Sequence, residues 1–147
     1  MPSFIKYTAA ALHNQQFYKY IKELPDYSII AFDKAYINYG QFDKFTERNI
    51  YYVTRQKENA DYKTIEEFDL AADAQHILKD EKIEVSYKVN KEVITQQMRR
   101  VAVFSQKYQK AFVYTTNNFD LTAVEIAAIY ANRWQIETFF KKLKHPA

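Results

Sequence analysis

A single glycine, Gly40, serves a chain of 147 residues. Glycine enters the left-handed backbone region without steric cost, so nearly every tight turn that needs positive φ is expected to fall to Asn or Asp. The composition is otherwise that of a folding globular protein, with 48% hydrophobic and 27% charged residues and an aromatic share of 17%, chiefly Tyr and Phe. That is enough apolar material, over enough length, for one core. The absence of cysteine excludes disulfides and thiolate zinc sites. No apolar run approaches the roughly 18 residues a membrane span needs, and no signal-peptide pattern opens the chain, so a cytoplasmic protein without membrane association is expected. A net charge of +3 permits a polyanionic partner without requiring one.

Hydrophobic patterning then divides the chain. Phe17, Tyr20, Ile21 and Leu24 recur at helical spacing before Pro25, which predicts a helix that begins near Asn14. Ser28-Ile29-Ile30-Ala31-Phe32 is a short apolar run of the kind that forms a strand buried on both faces, and Asp33 follows it. Phe42 to Glu47 leaves room for a helix, and Asn49 to Arg55 reads as a second buried strand. Helix between strands is the α/β pattern. Between Glu58 and Arg100 the segments alternate charged and apolar residues with period two, as Lys82 to Val89 do, which predicts antiparallel, half-exposed strands. Val101 to Phe104 and Ala111 to Thr116 complete the strands, with a turn at Asn117-Asn118.

The last element carries the clearest start signal. Thr122-Ala123-Val124-Glu125 fits a capping box, and Leu121 and Ile126 stand at the two positions of a hydrophobic staple. The periodicity predicts a helix from Ala123 through Lys144. On such a helix Tyr130, Arg133, Glu137 and Lys144 share a stripe about 60° wide, beside an apolar stripe of Ile129, Ile136, Phe140 and Leu143. Two readings of the polar stripe stand side by side. It is either a solvated face with an Arg133–Glu137 ion pair worth about 0.2–0.5 kcal/mol, or a set of functional groups aimed past the edge of the core.

The spacing Tyr130-x2-Arg133-x3-Glu137-x6-Lys144 resembles the Y-x2-R-x3-E-x6-K signature of DDE-type insertion-sequence transposases at all four positions. The surrounding blocks are similar to that family as well: Thr116 to Leu121, Arg133 to Glu137, Asp33-Lys34-Ala35-Tyr36 and Tyr52 to Arg55. The resemblance implies an α/β fold, an RNase H-like core with a mainly antiparallel β insert before a glutamate-bearing C-terminal helix. Its parts would be a partial core at 1–57, the insert at 58–110 and the continued core at 111–147. It implies that Asp33 and Glu137 are the second and third catalytic carboxylates, binding a pair of Mg2+ or Mn2+ ions. Such ions need hard oxygen ligands and open sites toward phosphate oxygens. Tyr130, Arg133, Lys141 and Lys144 would contact DNA, and the whole protein would act as a homodimer on double-stranded transposon ends and target DNA.

The chain departs from the family pattern in one respect. The family's first catalytic aspartate lies on the opening strand of the fold, and residues 9–14, Ala9 to Asn14, contain no acidic residue. An N-terminally truncated transposase is therefore expected, with its two-ion site complete in the longer protein and little cleavage by this chain alone. The stretch from Pro2 to Thr8 is expected to form the edge of a later strand. A competing expectation is an inactive nucleic-acid-binding remnant that uses Arg99, Arg100, Arg133, Lys141, Lys142 and Lys144. A third is a plain α/β domain with no role on DNA. For Asp33 itself, the reading outside the family is a strand-ending aspartate that caps the next turn. Trp134 is expected in the core, and the three histidines are given no role.

Overall fold

The computed structural model describes residues 4–6, 23–32, 39–131 and 135–137. Within them the strands are β1 (Phe4–Lys6), β2 (Ile29–Phe32), β3 (Tyr51–Arg55), β4 (Lys63–Glu67), β5 (Ile77–Val89), β6 (Glu92–Ser105), β7 (Lys110–Thr116) and β8 (Gln135–Glu137). They form one eight-stranded sheet in the order β1-β8-β2-β3-β7-β6-β5-β4. Two helices, α1 (Tyr39–Glu47) and α2 (Ala123–Tyr130), complete the described elements. The helix expected from Asn14 lies outside the described residues, apart from Leu24 at its end.

Side-chain alternation along the strands sets the layering. Ile30 and Phe32 of β2, Tyr52 of β3, Ile83 and Val85 of β5 and Met98 of β6 share one core with Phe42 and Phe45 of α1. Ile29, Val53, Ile77, Val101 and Val103, from the same four strands, share a second core with Ile126 and Tyr130 of α2. In β2 and β3 neighbouring residues thus enter opposite cores, as the period of two in a strand requires, while in β5 a register shift between Ile77 and Lys79 moves Ile77 to the face opposite Ile83 and Val85; each helix covers one face of the sheet. Continuous apolar runs such as Ile29-Ile30-Ala31-Phe32 follow from this: a strand covered on both sides cannot afford a polar face. In the first core the ring of Phe42 stacks on Tyr52 with centroids 4.2 Å apart, an arrangement worth roughly 0.5–1.5 kcal/mol beyond the area it buries.

β2 and β3 pair in parallel, joined through α1, while β3, β7, β6, β5 and β4 pair antiparallel in succession. The alternating segments near Lys82 to Val89 form β5, and Val101 to Phe104 belong to one long strand, β6, that begins at Glu92. β5 and β6 meet in a two-residue hairpin at Asn90-Lys91, both with positive φ, the backbone that matches the right-handed twist of the flanking strands. Among the described residues, five other than glycine take positive φ: Tyr27, Asn49, Asn90, Lys91 and Gln109. Asparagine fills two of them as expected, but Tyr27, Lys91 and Gln109 do so as well, and none of the described aspartates does. Gly40 lies inside α1, where no positive φ is needed.

The C-terminal helix is shorter than its periodicity predicts. α2 stops at Tyr130 with Ala131 as C-cap, and Gln135-Ile136-Glu137 forms β8, antiparallel to both β1 and β2. Glu137 therefore stands on a strand, which corrects the expectation of a helix running through Lys144 with the glutamate upon it. The physical reason is the sheet. β2 is buried, and its edge opposite β3 needs partners for its N–H and C=O groups; β8 supplies them. Periodicity along one segment carries no information about that demand. The sheet also places Phe4 to Lys6, within the stretch Pro2 to Thr8, as its edge strand β1.

Candidate active-site face

The approach to the signature segment is built by two asparagines. Asn117 ties three pieces together: its Oδ1 accepts from the Tyr52 amide at 2.9 Å, and its Nδ2 donates to Thr46 Oγ1 at 3.0 Å and to the Ile50 carbonyl at 2.9 Å. Asn118, buried, accepts from the amides of Asp120 and Leu121 at 2.9 and 2.8 Å and so folds the chain into the start of α2. The capping box then closes as its sequence predicts. Glu125 N–H donates to Thr122 Oγ1 at 3.1 Å, and Thr122 N–H donates to Glu125 Oε1 at 2.9 Å. Leu121 packs in the same core as Ile126, where a staple would place it.

A buried ion pair clamps this turn to the sheet. Arg99 of β6 meets Asp80 of β5 through two parallel bonds of 2.8 and 2.7 Å, and its remaining nitrogen donates to the carbonyls of Asn118 and Leu121. Arg99 is 5% exposed and Asp80 9%, so its guanidinium is consumed within the protein. This corrects the expectation that Arg99 contacts nucleic acid.

α2 delivers Tyr130 into the second core, 5% exposed, with its ring 4.9 Å from that of Tyr114. Glu137 is paired with Ile29, at the first residue of β2. Asp33 follows Phe32, at the other end of that strand. Three steps of about 3.3 Å each separate Ile29 from Phe32, roughly 10 Å of strand. Asp33, Arg133, Lys141 and Lys144 themselves lie outside the described residues, as do Lys142 and Trp134. Of the six residues singled out as site candidates, the structure describes Tyr130, which shares a core with Ile29, and the backbone of Glu137, which pairs with Ile29.

Residues 6–146 match the family model of the transposase DDE domain. The chain belongs to that family. Two curated relatives of this DDE domain carry transposase names. One is y4zB of Sinorhizobium fredii, 29% identical over 116 residues, a stretch that covers 77% of this chain and 32% of the relative. The other is named as the transposase for insertion sequence element IS5377 of Geobacillus stearothermophilus, 25% identical over 117 residues, covering 79% of this chain and 30% of the relative. The chain thus spans about a third of the length of these relatives. No solved structure matches it significantly.

The DDE family implies dependence on a divalent metal ion. Among the described residues no group of three or more His, Cys, Asp or Glu side chains is placed to hold a metal. The register of β8 sets the backbone of Glu137 beside Ile29, the first residue of β2, and the Asp33 and Glu137 side chains lie outside the described residues. Among the described residues of this DDE domain, no helix is long and apolar enough to cross a membrane.

Proposed function

We propose that this chain forms part of the catalytic core of an insertion-sequence DNA transposase, with an RNase H-like arrangement around the parallel pair β2 and β3. The observation that carries this reading is the DDE-domain match from residue 6 to 146, within which the spacing Tyr130, Arg133, Glu137, Lys144 falls. In this reading Asp33 and Glu137 are the acidic residues of DNA strand cleavage and transfer. Arg133, Lys141 and Lys144 hold the DNA backbone, the arginine by a bidentate fork and the lysines as point charges. Tyr130, buried against Tyr114, acts as a positioning residue for the segment that leads to Arg133. The partners are double-stranded transposon ends and target DNA, bound by a dimer of the complete protein. Mg2+ or Mn2+ belongs to that complete protein.

Because Glu137 pairs with Ile29, at the end of β2 opposite Phe32, this chain by itself is proposed to bind DNA without cutting it. The same observation favours a second reading, an inactive nucleic-acid-binding remnant of a mobile element. One experiment separates them: nicking of supercoiled DNA by the chain with and without Mg2+ or Mn2+, beside electrophoretic-shift titrations over a salt series. Binding that weakens steeply with salt and ignores Asp33→Ala, without nicking, supports the binding reading for this chain. Metal-dependent nicking abolished by Asp33→Ala and by Glu137→Ala would restore it as an active core. No shift at micromolar protein in low salt would remove DNA from the account altogether.

A further inference from the structure

β3 ends before its neighbour does. Its last ladder pair is Arg55 with Tyr114, followed by a single bond from Gln56 N–H to the Val113 carbonyl at 2.9 Å. β7 extends beyond this point to Lys110, with β6 beside it to Ser105. The step leaves a cleft of about 330 Å³ at that end of the sheet, lined by Arg55, Lys57, Tyr62, Arg100 and Lys110. Among the described lining residues, Glu58 is the acidic one.

The cations are arranged on aromatic rings. The Arg55 guanidinium lies 4.8 Å from the centroid of Phe112, with Lys110 Nζ 5.1 Å from the same ring. Arg100 lies 4.8 Å over Tyr62. Along the β6–β7 turn the pattern continues: Tyr108, 60% exposed, packs edge-on to Phe112 at 5.9 Å and carries Lys107 at 5.3 Å. Arg100 is also held by Gln56 Oε1 at 2.9 Å and by the buried Glu81 at 3.5 Å, so its charge is largely answered. Among the described residues, no ion pair joins Arg55, Lys57 or Lys110 to a carboxylate.

Resting on the transposase reading, we infer that this cleft is a second DNA-contact site, separate from the Arg133–Lys144 segment, which takes the phosphodiester backbone. Several cations spread along an edge and spaced by rings suit a chain of phosphates better than one small anion. The rings hold the arginine and lysine stems in place, which lowers the entropy lost on binding. Exposed tyrosines beside them offer faces to sugars and bases.

The test measures fluorescence anisotropy of a labelled DNA duplex with the 147-residue chain across a sodium chloride series. Lys57→Glu with Lys110→Glu reverses two exposed charges in the cleft. Lys88→Glu with Lys91→Glu makes the same change in net charge at the β5–β6 hairpin, away from the cleft. The cleft variant is expected to bind at least about tenfold more weakly than the hairpin variant, with the slope of log affinity against log salt reduced by about two. Arg55→Gln gives a smaller loss of the same sign. Equal losses in the two double variants would overturn the site, since they would reflect net charge alone. A cleft variant with parental affinity, beside a Lys141→Glu, Lys144→Glu variant that loses binding, would overturn the site and leave the transposase reading standing. Absence of binding by the parental chain would overturn both.

Discussion

Tyr52 illustrates how much one residue is asked to do in this core. It is 1% exposed, its ring stacks on Phe42, its amide is held by Asn117, and among the described residues its hydroxyl has only the weak acceptor Met98 Sδ at 3.8 Å. Burial pushes the phenol well above its ordinary range, with Tyr39 and Asp43 adding to the effect. A raised folded-state value has a definite sign. Below about pH 10 both states keep the proton and this group makes stability insensitive to pH. Above it the unfolded chain loses the proton that the folded chain retains, so stability falls by about 1.4 kcal/mol per pH unit for this tyrosine. Urea unfolding at about pH 8 and about pH 11 is expected to show that fall, and Tyr52→Phe is expected to remove one tyrosine's share of it with little change near neutrality. An unaltered alkaline slope in the variant would mean that Tyr52 does not stay protonated in the fold.

At the scale of elements, the capping box at Thr122 was readable because it depends on residues three apart, and it formed as read. The Asp80–Arg99 clamp was not, because the partners lie 19 residues apart and meet through the β5–β6 ladder. Arg99 in isolation looks like any basic residue, and the doublet Arg99-Arg100 invites a nucleic-acid reading. The ladder turns the two to opposite faces, one into the clamp and the other toward Glu81 and Gln56. Asp80→Ala is expected to lower stability by about 3–5 kcal/mol, because it strands a buried guanidinium. Replacing both partners, Asp80→Leu with Arg99→Met, is expected to recover most of that loss in the same denaturation measurement. If the double variant is as unstable as the single, the carbonyl contacts to Asn118 and Leu121 carry the clamp instead.

For the whole molecule the decisive arrangement is the seating of β8 between β1 and β2. It ends the stripe geometry that a continuous helix would have given Tyr130, Arg133, Glu137 and Lys144, and it separates Glu137 from the end of β2 that leads to Asp33. Since the chain has no cysteine, the register can be tested without background. Ile30 and Ile136 are directly opposed, and residues so placed have Cα atoms within the range a disulfide spans. Ile30→Cys with Ile136→Cys is expected to oxidise to an intramolecular disulfide, seen as a reducible shift on a gel and as the loss of two hydrogens by mass. A pair that stays reduced in mild oxidant while the protein is folded would return Ile136 to a helix.

Local pattern determined the strands β2, β3 and β7, the helix α1 between the first two, the start of α2, and the resemblance to the DDE family through the spaced signature and the short blocks along the chain. Each of these depends on neighbours a few positions apart, where the chemistry of side chain and backbone is decided before any long-range contact forms. The tertiary structure decided what lies beyond that reach. It sent Gln135-Ile136-Glu137 to an open sheet edge, buried Arg99 on Asp80, and gathered Arg55, Lys57, Arg100 and Lys110 into one cleft from three separate strands and the loop that follows the first. Hydrogen-bonding groups at a strand edge and charges in a core must find partners wherever the chain places them, and that placement is a property of the assembled sheet.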